Sequence, residues 1–250
     1  MSLGLLAKLV GALVVLAVAG GVGAVTYLNH SRPAALGLAS VTPHSTPAAS
    51  PADPLSMVCR RPAGAAGLWV IQHGSIAGYR AHEQFAELTS PHEAVARTDE
   101  IRGWLLTGDS AGTLSVETGC VAVDVRTLQS VDELPGFNVR DRDKISRDFL
   151  AASEHPYVVF QPYPVTLQLD ANSTAVQRVK LAGDLEIRGT ARRAEFALDV
   201  KRTGDQVLAA GSTTVQVEDF GIEVPQEAGG FVRVNPRITL EVSLVLVRPA

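Results

Sequence analysis

A histidine, a glycine and a serine in succession, His73-Gly74-Ser75, are the first residues that invite a chemical reading. A serine becomes a nucleophile when a strand–turn–helix elbow of the form Gly-x-Ser-x-Gly presents it to a base. That frame is missing, and Ser75 sits in a strand-like run, so no catalytic role is assigned to it. The pairs His82-Glu83 and His92-Glu93 carry metal-binding residue types. Adjacent residues of a strand point to opposite faces, so neither pair makes a clamp, and no His-Glu-x-x-His helix replaces it. The histidines therefore read as solvated. Carboxylates gather in turns, and Arg140-Asp141-Arg142-Asp143, the densest charge run, reads as a loop of local surface ion pairs. With no glycine-rich phosphate loop either, the sequence predicts a non-enzyme without catalytic residues, metal site or cofactor.

The two cysteines, Cys59 and Cys120, form no Cys-x-x-Cys and have no histidine at zinc-finger spacing. In an oxidising compartment a bridge between them would close a loop of about 60 residues and stabilise the fold by about 4 kcal/mol. The alternative is two separate buried thiols. A net charge of −4 provides no basic excess to neutralise phosphates, which argues against nucleic acid as a partner.

The elements that would carry these residues are strands. Val179, Leu181, Gly183, Leu185 and Ile187 alternate with polar residues, as do Phe196, Leu198 and Val200. Ile238 to Leu246 and Val121 to Val125 repeat the pattern. A period of two with one apolar face marks half-buried antiparallel strands. Turn residues separate the runs at Thr107-Gly108-Asp109, Asp170-Ala171-Asn172, Arg188-Gly189-Thr190 and Thr203-Gly204-Asp205. So many short strands predict an all-β domain, a closed barrel or a sandwich. One stretch, 141–153, spaces Ile145 and Phe149 four apart and reads as a short amphipathic helix beginning at Asp141 or Asp143, packed across a barrel end or sheet edge.

Upstream, residues 9–28 are uncharged and almost wholly apolar. About 20 residues at about 1.5 Å each span a hydrocarbon core of roughly 30 Å, so this segment is expected to cross the membrane, with 1–8 cytoplasmic. A cleavable signal peptide is the rival reading. The pairs Ala19/Gly23 and Gly20/Ala24 resemble a helix-packing face, which leaves a homodimer open. Residues 29–66, rich in Pro, Ala, Ser and Thr, are expected to be a disordered spacer. The folded domain is expected over 67–250, outside the cytoplasmic membrane.

Across that domain the motifs resemble the YceI-like family. Leu68-Trp69-Val70-Ile71, then Gly74-Ser75 and Gly78-Tyr79-Arg80, are similar to the form seen in actinobacterial members. Ala96-Arg97-Thr98-Asp99, Ile101-x-Gly103, Thr127-Leu128-x-Ser130 and Arg140-Asp141 follow in order. Phe149-Leu150, His155-Pro156, Phe160, Leu185-x-Ile187-x-Gly189 and Asp219-Phe220-Gly221-Ile222 complete the likeness. There are departures: Gly74 separates His73 from Ser75, and Gly189-Thr190-Ala191 stands where relatives carry Gly-Val-Thr. The resemblance implies a lipocalin-like antiparallel barrel that accommodates a polyisoprenoid or similar long-chain lipid. On that reading Trp69, Tyr79, Trp104, Phe149 and Phe160 are the candidate ligand-binding residues, chosen as large aromatics of the matched region. A structural or interaction protein of the cell envelope with a filled barrel is the alternative.

Overall fold

The alternating runs become strands in the computed structural model, which describes residues 32–41, 54–85, 91–110, 113–134, 138–167, 175–224 and 232–249. The expected membrane span at 9–28 lies outside these residues. Among the described ones, no helix is long and apolar enough to cross a membrane.

The strands are β1 (Leu68–Ile71), β2 (Ile76–Phe85), β3 (His92–Thr98), β4 (Ile101–Ser110), β5 (Thr113–Asp124) and β6 (Gln129–Ser130). They continue as β7 (Tyr157–Pro162), β8 (Val165–Leu167), β9 (Gln177–Ile187), β10 (Thr190–Thr203), β11 (Gln206–Gln216), β12 (Val232–Val234) and β13 (Arg237–Val247). Three consecutive pairs, β1–β2, β3–β4 and β7–β8, act as single bent strands. β3 pairs with β2 while β4 pairs with β1, and both β7 and β8 pair with β5. Setting aside the short β6 and β12, eight antiparallel staves then follow one another in chain order. β13 closes the ring on β1 and β2. Closure pairs the strand edges that an open sheet would leave exposed.

The His73-Gly74-Ser75 motif is the bend between β1 and β2. Gly74 takes φ +87°, and the fully buried Ser75 donates from Oγ to the Gln72 carbonyl at 2.8 Å and accepts from the Val245 amide at 3.0 Å. The turns predicted at Arg188-Gly189 and Gly204-Asp205 are two-residue hairpin loops, with φ of +51° and +71° at the first and +57° at Gly204. Asp170-Ala171-Asn172 lies outside the described residues. Thr107-Gly108-Asp109 is not a turn: β4 runs through it to Ser110, with a bulge between Leu106 and Thr107. Tertiary bonds override the local signal there. Thr107 N donates to the Gly67 carbonyl at 2.9 Å, and Thr107 Oγ1 accepts from Trp69 Nε1 at 3.0 Å.

Among the described residues two α-helices accompany the barrel, α1 (Pro54–Val58) and α2 (Val139–Phe149). The cap of α2 is Asn138, whose side chain accepts from the Arg140 amide at 3.2 Å, rather than either of the expected aspartates. Asp143 is instead buried, and it accepts from the Ser130 amide at 2.8 Å and from Ser130 Oγ at 2.5 Å, which locks α2 to β6.

Part of the stretch expected as a spacer packs on the barrel. Residues 32–41 lie against the outer faces of β2, β3 and β13 and bury Leu36 and Val41. Beneath them Arg80 donates from Nε to Glu241 at 2.8 Å, from Nη1 to Glu93 at 2.8 Å and from Nη2 to the Pro33 carbonyl at 2.8 Å. Arg97 Nε reaches the other Glu241 oxygen at 2.9 Å, and the Leu36 amide donates to Glu241 at 3.1 Å. Composition in isolation reads as a tether, but a buried Glu241 with two arginines supplies partners that hold this chain down. Further on, Cys59 and Cys120 are joined by a disulfide that fixes α1 over β5.

Candidate functional site

Along each stave alternate side chains point inward, and eight strands enclose a space wide enough for one small ligand. Here the space is a cavity of about 500 Å³. Ile71, Leu105, Val116, Leu185, Leu198 and Leu244 contribute to its wall, each from a different stave, and the greater part of that wall is apolar.

The two ends differ. At the end where the β10–β11 turn meets the last residues of β13, Trp69 lies beneath the chamber and is 1% exposed. Its indole donates to Thr107, and the guanidinium carbons of Arg248 and Arg202 stand 4.8 and 5.4 Å from the ring centroid. These are cation–π distances, and they place two charged groups outside an apolar floor.

The other end is where α2 crosses β2, and the polar side chains of the cavity gather there. Tyr79 Oη and Ser146 Oγ share a hydrogen bond of 2.8 Å. Arg142 Nη1 donates to Glu83 at 3.3 Å, and its Nη2 donates to Ser130 Oγ at 3.0 Å and to Asp132 Oδ1. Asp132 also accepts from the Val95 amide at 2.9 Å, and its Oδ2 lies 2.7 Å from His92 Nε2. Burial alone would raise the Asp132 carboxyl. The bonds from His92, Arg142 and Val95 outweigh it and hold the group well below the usual carboxylate range. With Asp132 ionised, His92 Nε2 carries the proton and donates. Glu83 behaves oppositely: burial pushes its carboxyl up, and Arg142 offsets only part of this. Burial likewise pushes the Tyr79 phenol up, so it stays protonated.

Of the five aromatics expected to line a ligand, Tyr79, Phe149 and Phe160 border the cavity. Phe160 meets Phe196 edge-on at 5.1 Å and lies over Gly183, where a Cβ would stand 2.7 Å from the ring. The other two do not border it. Trp69 closes the floor instead of lining the chamber. Trp104 is one residue from the inward Leu105, so the pleat turns it to the outer face. There it packs with Leu55, Cys59 and Cys120, and its indole donates to the Cys59 carbonyl at 3.2 Å.

The sequence reading missed the polar end. His92 is buried and paired, not solvated; Asp143 is buried and Arg142 half-buried on a helix, not part of a surface loop. One signal was present: Tyr79, Ala81, Glu83 and Phe85 share a face at period two, which puts Glu83 on the apolar side. Among the described residues no group of three or more His, Cys, Asp or Glu side chains is arranged to hold a metal ion.

A model of the YceI-like domain matches residues 80–246. Among solved structures, a polyisoprenoid binding domain from Saccharophagus degradans, implicated in plant cell wall breakdown, superposes with a TM-score of 0.52 at 12% identity. The match covers 72% of this chain and 98% of that one. BcnA of Burkholderia cenocepacia gives a TM-score of 0.48 at 12% identity, over 68% of this chain and 95% of the other. At such identities the likeness is one of fold. No curated protein matches the chain.

Proposed function

We propose that this chain, which belongs to the YceI-like family, is a binding protein that shelters a polyisoprenoid or similar long apolar chain in its barrel. The observation that carries this reading is the cavity itself: about 500 Å³, apolar over most of its wall, with polar groups at one end. A solid barrel of purely structural use would fill that volume with side chains. An apolar cavity of about 150 Å³ accepts benzene, so by proportion this one holds a chain of about 20 carbons. Each buried methylene contributes about 0.8 kcal/mol. The Saccharophagus degradans neighbour is described as polyisoprenoid binding, which agrees with this ligand class.

The same reading places the barrel outside the cytoplasmic membrane, anchored by residues 9–28. The Cys59–Cys120 disulfide suits an oxidising compartment. Chemistry on the ligand is not part of the proposal. The test is native mass spectrometry of the full chain purified in detergent, followed by organic extraction. A bound lipid of about 20 or more carbons is expected. A protein that carries no lipid and takes up none from isoprenoid alcohols overturns the reading.

A further inference from the structure

The charges around the cavity discriminate between lipids of the same chain and different ends. Among the described residues Arg142 is the one cation bordering the cavity. Its Nη1 is held by Glu83, and its Nη2 by Ser130 and Asp132. Two carboxylates thus face one guanidinium, and a third, Asp143, lies behind Ser130. The proton on His92 serves Asp132 from the far side. A phosphate entering here would meet a guanidinium already neutralised and carboxylates that repel it.

For an uncharged oxygen the same end is well furnished. Tyr79 and Ser146 use one of their two hydroxyl protons on each other, which leaves one donor and spare lone pairs. Arg142 Nε is buried and has no acceptor. A buried N–H without a partner is costly, and a carbonyl or hydroxyl oxygen in its vicinity would satisfy it.

We infer that the end of the cavity formed by Tyr79, Ser146, Glu83 and Arg142 seats an uncharged oxygen group, a hydroxyl or carbonyl, and excludes the phosphorylated form of the same lipid. The inference rests on the lipid-binding reading above. The chain therefore lies with its tail towards Trp69 and its polar end under α2. A protein of this design takes up the alcohol or carbonyl form and leaves the phosphorylated precursor in the membrane.

The experiment titrates the full chain in detergent with geranylgeraniol and with geranylgeranyl phosphate, followed by native mass spectrometry. The alcohol is expected to bind about tenfold or more tightly than the phosphate, because like charges brought together in a poorly hydrated site repel strongly. Glu83→Gln removes one repelling charge at constant shape and should narrow the ratio several-fold, with near-UV circular dichroism confirming the fold. Phosphate binding equal to or tighter than the alcohol overturns the inference and leaves the lipid-binding reading standing. An unchanged ratio in folded Glu83→Gln also overturns it. If neither compound binds, both readings fall together.

Discussion

Replacing Ala209 by phenylalanine tests how the ligand lies in the barrel. Ala209 borders the cavity from β11, opposite Val200 and Leu244, on the Trp69 side and far from the polar end. A phenyl ring there enters open space, so the overpacking penalty of about 1–3 kcal/mol expected in a filled core should be absent. By the benzene comparison the ring takes up about 150 Å³, close to a third of the chamber. A 20-carbon alcohol would then lose room for about six carbons. At about 0.8 kcal/mol each, its affinity should fall by up to about 5 kcal/mol, three orders of magnitude or more. A 10-carbon alcohol that ends short of Ala209 should bind as before. Competition titrations of both alcohols against a bound fluorescent fatty probe, alongside thermal melts, read this directly. The reasoning is refuted if the long and short alcohols weaken equally while the melt is unchanged. It is refuted equally if neither weakens.

Three other outcomes follow from the packing. Cys59→Ser with Cys120→Ser opens a loop of 61 residues, which should remove about 4 kcal/mol and lower the melting temperature by roughly 8–16 °C in calorimetry. Glu241→Ala leaves Arg80 and Arg97 facing each other under residues 33–36; a loss of about 3–5 kcal/mol and faster amide exchange across 34–41 are expected, and unchanged exchange there would contradict the role assigned to Glu241. Asp132 has its carboxyl lowered in the fold, so its contribution is present above the unfolded value near 4 and is lost as pH falls towards the folded one. The stability gap between wild type and Asp132→Asn in urea titrations should accordingly be full at pH 6 and shrink below about pH 4; a gap independent of pH would refute the pairing.

Much of the barrel is legible in the chain because a strand's side chains alternate with a period of two. Leu181, Leu185 and Ile187, or Ile238 through Leu246, announce their inward faces locally, and Arg188-Gly189 announces the turn that joins two of those strands. The family likeness is legible for the same reason, since its motifs are turns and strand faces in fixed order. The polar end of the cavity is not, because its partners are remote in sequence. Glu83 meets Arg142 across 59 positions, and Arg80 meets Glu241 across 161. Each of these residues, read locally, is an ordinary surface charge. Only ring closure brings β2 under α2, excludes water and turns Glu83, Arg142 and Asp132 into a buried network. Trp69 and Trp104 make the same point for apolar residues. Their type marks them as valuable to bury, but a one-residue step in the pleat and the position of the barrel floor decide what each is buried against. The volume left along the axis is likewise a sum over all eight staves, so no single strand specifies it, and the hollow emerges only when the staves close on one another.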